Sequence, residues 1–227
     1  MKREIASCIC GSFLAAGSAA PALAQSADAF RQGALPQPNP MVLDNPYATV
    51  TRDAAPCAQA SPACEDRVIV AMGDIELAAG SSRRKMKRGD VAVFKAGESY
   101  RLPSGGAYYE VALKPRRPPV KSPPELIPPP KNMMVYEGES FFIYEERLAA
   151  GDTRPRHSHS QRVEIRANQG PQLQQWVWRG AEISTLEPPV VNWREPVIHI
   201  VKNVGDMPLR NIIIEFKPEQ PDGMPAR

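Results

Sequence analysis

Gly151-Asp-Thr-Arg-Pro-Arg-His157-Ser-His159-Ser-Gln-Arg-Val-Glu164-Ile-Arg-Ala-Asn-Gln-Gly170 is the stretch around which this chain is organised. His157 and His159 stand two residues apart, so on an extended strand both side chains point to the same face. A carboxylate, Glu164, follows beyond a polar segment that can turn the chain. His199 is the only other histidine, in Pro196-Val-Ile-His199-Ile-Val-Lys-Asn203. Neutral imidazoles with one carboxylate are the donor set that borderline divalent metals favour. The residues therefore predict a metal site of His157, His159, Glu164 and His199.

The amino terminus reads as an export signal. Lys2 and Arg3 form a basic n-region, Ile5 to Ala20 an apolar stretch of small residues, and Ala22-Leu23-Ala24 a small-x-small cleavage signature. Cleavage is expected after Ala24, with a periplasmic or secreted destination. The apolar stretch is too short and too rich in Gly and Ser to span a bilayer, so no integral membrane segment is expected after cleavage. The formal net charge of +3 does not advertise a nucleic-acid binder. Beyond the signal, Cys57 and Cys64 remain in Cys-Ala-Gln-Ala-Ser-Pro-Ala-Cys. In an oxidising compartment the simplest reading is a disulfide closing a small loop, with a two-cysteine metal or redox site as the rival.

Residues 25–46, rich in Pro, Gln, Asn and Ala, read as a flexible arm. Short β-type runs follow from Tyr47, among them Arg67–Met72, Val91–Phe94 and Tyr108–Leu113. The basic run Ser81–Arg88 reads as a solvated hairpin turn. Eight prolines lie between Pro115 and Pro130, a density that excludes helix and central strand and predicts a stiff connector over 115–131. Strand-like runs resume at Met133–Tyr136, Ser140–Arg147, Arg162–Arg166, Leu173–Trp178, Val197–Val201 and Leu209–Phe216. No amphipathic helix of three turns is apparent, so the expected class is all-β, a sandwich or barrel.

The two halves echo each other. Glu110-Val-Ala-Leu-Lys-Pro115 closes one and Ile213-Ile-Glu-Phe-Lys-Pro218 the other. Together these residues resemble the cupin superfamily. Its first motif, G-x5-H-x-H-x(3,4)-E-x6-G, is matched from Gly151 to Gly170, except that the last spacer is five residues. Its second, G-x5-P-x-G-x2-H-x3-N, is met at His199-Ile-Val-Lys-Asn203, with Arg194 and Pro196 where the family has Pro and Gly. In the first half, Gly89-Asp-Val-Ala-Val-Phe-Lys-Ala-Gly97-Glu-Ser-Tyr100 is similar to the second motif, with Tyr100 in the histidine's place.

The resemblance implies a bicupin: two small jelly-roll β-barrels joined by a Pro-rich connector. The expected division is 1–24 signal, 25–46 arm, 47–114 degenerate repeat, 115–131 connector, 132–218 metal-binding repeat and 219–227 tail. It implies one divalent transition metal per chain, with Fe, Mn, Ni, Cu and Zn all compatible, and it is compatible with a homodimer. Dioxygenase, decarboxylase and isomerase chemistry on a small oxygenated or acidic molecule all occur on such sites. The alternative is a module that only binds a ligand or orders itself around the metal. Phe142, Tyr144, Arg147 and Trp176 are the candidate substrate-pocket residues, with Tyr144, Glu145 and Glu146 the nearest acid/base candidates. Of Arg147, Arg154, Arg156, Arg162 and Arg166, one or two are suited to clamp a carboxylate or phosphate.

Overall fold

A computed structural model describes residues 40–54, 65–102, 107–168, 174–178, 181–186 and 190–218, with the backbone alone over 174–186. The expected signal, the tail, and the pair Cys57 and Cys64 lie outside the described residues. The described residues form sixteen strands, in chain order: β1 (Met41–Asp44), β2 (Ala48–Arg52), β3 (Arg67–Ala71), β4 (Ile75–Ala79), β5 (Ser82–Met86), β6 (Val91–Phe94), β7 (Tyr108–Leu113) and β8 (Asn132–Glu137). The second series is β9 (Phe141–Leu148), β10 (Thr153–His159), β11 (Arg162–Arg166), β12 (Gln174–Trp178), β13 (Ala181–Leu186), β14 (Val191–Arg194), β15 (Val197–Asn203) and β16 (Leu209–Phe216). The described residues contain no helix, and none is long and apolar enough to cross a membrane.

No sheet mixes strands from the two halves. Strands of the first half form a five-stranded sheet in the order β1-β2-β7-β3-β6 and the hairpin β4-β5. Those of the second half form β14-β11-β16-β9-β8 and a four-stranded sheet β10-β15-β12-β13. Reversed, the second five-stranded order is β8-β9-β16-β11-β14, the first order repeated strand for strand. All the pairings are antiparallel.

Alternation along the strands assigns each residue to one of three interiors. On β7, Tyr109, Val111 and Leu113 face a core that also takes Phe141, Ile143, Val163, Ile165, Ile212 and Phe216 from the second half. That core holds the two five-stranded sheets together. Opposite faces of the same strands line separate interiors. The first-half interior is filled by Ile69, Leu77, Met86, Phe94, Tyr100 and Tyr108. The second is largely polar, and the histidines lie in it.

Two local expectations are corrected. Met41–Asp44, placed in the flexible arm, forms edge strand β1, with Leu43 and Asp44 opposite Val50 and Thr49 of β2. The basic run is not a turn but strand β5, paired from Ser82 to Met86 with β4. Arg83, Arg84 and Lys85 are exposed, and Arg83 pairs with Glu76 across the hairpin at 2.8 Å. Residues 115–131 form neither helix nor strand, and part of the segment runs along the edge of β10. There the Glu125 N–H donates to the Ser158 carbonyl at 3.1 Å, and Ile127 is buried.

Candidate metal centre

His157 and His199 stand directly opposite one another on the antiparallel pair β10–β15, which puts their side chains on one face. His159 follows His157 by two residues and shares that face. The register of β10 breaks between Arg154 and His157: three steps along β10 oppose two along β15. This is a β-bulge, and Pro155 sits within it, where its missing N–H costs no ladder bond. The extra residue matters for the site. Without it Arg154 and His157, three apart, would face opposite sides. With it both are buried, while Pro155 and Arg156 are exposed.

The three imidazoles converge. His157 Nε2 lies 2.9 Å from His159 Nε2 and 3.0 Å from His199 Nε2. Among the described residues they are the one group of three or more His, Cys, Asp or Glu whose donor atoms all lie within 4.8 Å of one another. The outer nitrogens set the tautomers. His157 Nδ1–H donates to the Pro155 carbonyl at 2.7 Å, the bulge supplying its own acceptor. His159 Nδ1–H donates to Glu215 Oε2 at 3.2 Å, and the Tyr144 hydroxyl donates to the same oxygen at 2.9 Å. Glu215 Oε1 accepts the Ser160 N–H at 2.6 Å. Each of these two histidines therefore turns an unprotonated Nε2 inward, lone pair against lone pair.

Burial, reinforced by the nearby Arg154 and Arg162 charges, favours neutral imidazoles. His157 is pushed down to about 4, chiefly by desolvation and then by Arg154. His199 falls to about 2, by desolvation, then His157, then the arginines, and His159 lies well below the usual histidine value for the same leading reason. Neutral, converging nitrogens fit a divalent transition ion: cis donors about 2.1 Å from an ion stand about 3 Å apart.

Glu164 is not brought into this group. Its face of β11 is the interior one, since Val163 and Ile165 point into the shared core, but its Oε2 lies 3.5 Å from Arg194 Nε. Phe142 and Tyr144 do line the second interior, buried and stacked with ring centroids 5.8 Å apart. Arg147 does not: it lies on the other face of β9, where it grips Glu145 through two 2.8 Å bonds. Glu145 also takes Arg210, and Glu146 pairs with the buried Arg154, whose Nη2 also reaches Asn132 Oδ1 at 2.7 Å. Neither glutamate is left to act as a base. Trp176 is opposite Val201 in the β12–β15 ladder, and its side chain lies outside the described residues.

The sequence alone did not point to Glu215, Asn132 or Ser160, and Arg154, a candidate clamp, is instead held by Glu146 and Asn132. Glu215 lies 51 residues beyond Glu164, and only the register of β16 with β9 and β11 brings it under His159. Alternation within Ile213-Ile214-Glu215-Phe216, with Phe216 in the shared core, was a signal that Glu215 faces the other interior. A cleft of about 430 Å³ exists elsewhere, between β4, β5, β6 and β8, lined by Leu77, Phe94, Val135 and Tyr136 among others. It contains none of the histidines.

Tyr100, in the histidine's place in the first half, is buried against Phe94 with centroids 4.3 Å apart, and its hydroxyl donates to Glu110. Burial, helped by Glu110, raises its phenol far above the ordinary range. The first interior is thus packed mainly with apolar and aromatic side chains around the Tyr100–Glu110 bond, where the second holds a cluster of imidazoles.

No protein-family model and no curated relative matches the chain. Among solved structures it is similar to AerE from Microcystis aeruginosa, at 14% identity and a TM-score of 0.49, over 78% of this chain and 95% of that one. It is similar to a cupin 2 conserved barrel domain protein from Leptotrichia buccalis at 11% identity and 0.45, over 78% and 87%. A third is the oxalate decarboxylase of Bacillus subtilis, described by its Mn(II) centres, at 13% and 0.44, over 77% and 69%. None of these reaches a TM-score of 0.5, so fold and site rest on the chain's own strands and side chains. The antiparallel sheets and the three interior histidines give this chain an all-β fold of two repeated halves, with the histidine cluster in the second.

Proposed function

We propose that His157, His159 and His199 hold one divalent transition metal, and that the chain is an exported metalloprotein acting on a small oxygenated or acidic molecule. The observation that carries this is the inward convergence of the three imidazoles at 2.9 and 3.0 Å, two of them with outer nitrogens already committed to fixed acceptors. A bound metal would supply Lewis acidity or an oxygen-binding position, within the dioxygenase, decarboxylase and isomerase range. Around it the chain orients the ligands through Glu215, Tyr144 and the Pro155 carbonyl, and keeps water out by burial. The fold repeat supports reading 47–114 as the copy without a metal, 132–218 as the copy that carries it, and 115–131 as their connector.

A second reading, a module that binds without turnover, is favoured by one observation: the histidines are only 1–3% exposed, and the 430 Å³ cleft lies elsewhere. Elemental analysis of protein purified from its native compartment, beside a His157→Ala control, tests the metal. A near-stoichiometric metal lost in the control supports it, and equal trace metal in both preparations overturns it. Assay of the metal-loaded protein against carboxylates, phenols and sugars then separates the two readings. Turnover of any of these selects the enzyme, and none selects the module.

A further inference from the structure

Arg162 is the one arginine of the five around the histidines that combines full burial with no close carboxylate oxygen. It is 1% exposed, and within 4.0 Å it has no Asp or Glu oxygen among the described residues. Its hydrogen bonds are two long ones, from Nη1 to the carbonyls of Ser160 and Glu195, both at 3.4 Å. By contrast Arg154 is neutralised by Glu146, Arg147 by Glu145, and Arg156 is exposed. Glu215 stands opposite Arg162 in the ladder and its charged form is favoured by Arg162, but its oxygens are bonded to His159, Tyr144 and Ser160. Burying a guanidinium costs several kcal/mol unless an anion and good hydrogen bonds compensate it.

The repeated fold supplies an internal control. Arg67 opens β3 as Arg162 opens β11: one pairs with Phe94 and Ala112, the other with the matching positions Arg194 and Glu215. In the first half the guanidinium is satisfied by the turn before Tyr100, donating to the carbonyls of Lys95 at 2.8 Å and Glu98 at 2.6 Å. In the second half the same position holds its turn only loosely, by one 3.4 Å bond to the carbonyl of Glu195, the counterpart of Lys95. It does so in the interior that holds the histidines, on the face of β11 turned away from the shared core.

We propose that Arg162 anchors an oxyanion at the histidine centre, a small ligand whose carboxylate or phosphate group it grips while another oxygen reaches the metal. The planar fork of the guanidinium suits either group. This deepens the metal reading and rests on it. The nearby Arg154 charge, already balanced by Glu146, adds to the attraction without supplying the grip.

The test uses the full chain loaded with cobalt(II), whose visible spectrum reports the ligand field, titrated separately with malonate and with inorganic phosphate. The wild-type spectrum is expected to shift saturably with at least one of them, and the tighter arm assigns the group. Arg162→Met should bind cobalt with unchanged stoichiometry and melt within a few degrees of wild type, yet bind that anion at least about 10-fold more weakly. Arg162→Lys, which keeps the charge and loses the fork, should fall between the two. It also serves as the deciding variant if the methionine protein does not fold. Equal anion affinity in wild type and variant, or no spectral response to either anion in cobalt-loaded wild type, overturns the inference while leaving the metal centre standing. Failure of wild type to bind cobalt removes the centre and the inference together.

Discussion

His159 is fixed through its outer nitrogen by Glu215, which is itself fixed by Tyr144 and Ser160. Glu215→Gln should keep the fold but lower metal affinity by about 10- to 100-fold, because the amide orients the ring less firmly and makes it less basic. Competition with a chromophoric chelator measures this directly. His157→Ala and His199→Ala should abolish stoichiometric binding, whereas Glu164→Gln should change affinity only a few-fold, since that carboxylate faces Arg194. A loss in Glu164→Gln as deep as in the alanine variants would place it among the ligands after all. The histidines also set a pH dependence for the metal-free protein. With folded values of about 4 for His157 and 2 for His199, against roughly 6.5 unfolded, the folded state binds fewer protons below that pH. Their contribution is complete above about pH 6.5 and is lost as pH falls through 4, at about 1.4 kcal/mol per pH unit for each histidine. Burial raises Glu215, which acts in the opposite sense and blunts the slope. A thermal midpoint flat from pH 6.5 to 4 would contradict this.

At the scale of elements, β10 is decisive because its bulge sets which residues share the interior. Deleting Arg156 removes the extra residue, so Arg154 and the His157–His159 pair can no longer both face inward. Such a variant should keep its β-type circular dichroism and lose stoichiometric metal. Retained metal would show that the bulge does not position the ligands. Much of the strand pattern was legible beforehand, because runs such as Leu209–Phe216 carry β-branched residues between turn signals. The His-x-His spacing and His199 likewise pointed to one face. Strand β5 was not legible: a hairpin exposed from Ser82 to Lys85 has no alternation to betray it. The bulge was hidden for another reason, since Pro155 reads as a turn signal and only the ladder shows it inside a strand. Glu215 escaped because its contact with His159 spans 56 residues and depends on register.

For the whole molecule, the apolar core between the two five-stranded sheets makes the halves interdependent. Phe216 is fully buried there, touching Tyr47 with ring centroids 5.3 Å apart. Phe216→Ala should cost about 3–5 kcal/mol and lower a single unfolding transition rather than splitting it. Calorimetry decides: two resolved transitions would show that the halves unfold independently. Gly89 makes a second junction, with φ of +86° and Arg210 so close that a Cβ would lie 2.6 Å from Nη2. Gly89→Ala should therefore destabilise by more than about 1 kcal/mol. With Tyr100 in one interior and histidines in the other, the proposed metal would be single and in the second half. X-ray absorption at the metal edge of loaded full-length protein tests this most directly. One metal per chain is expected, with a first shell containing three imidazole nitrogens at about 2.0–2.2 Å and no sulfur. A first shell without histidine scattering, or one built on thiolate, would contradict it.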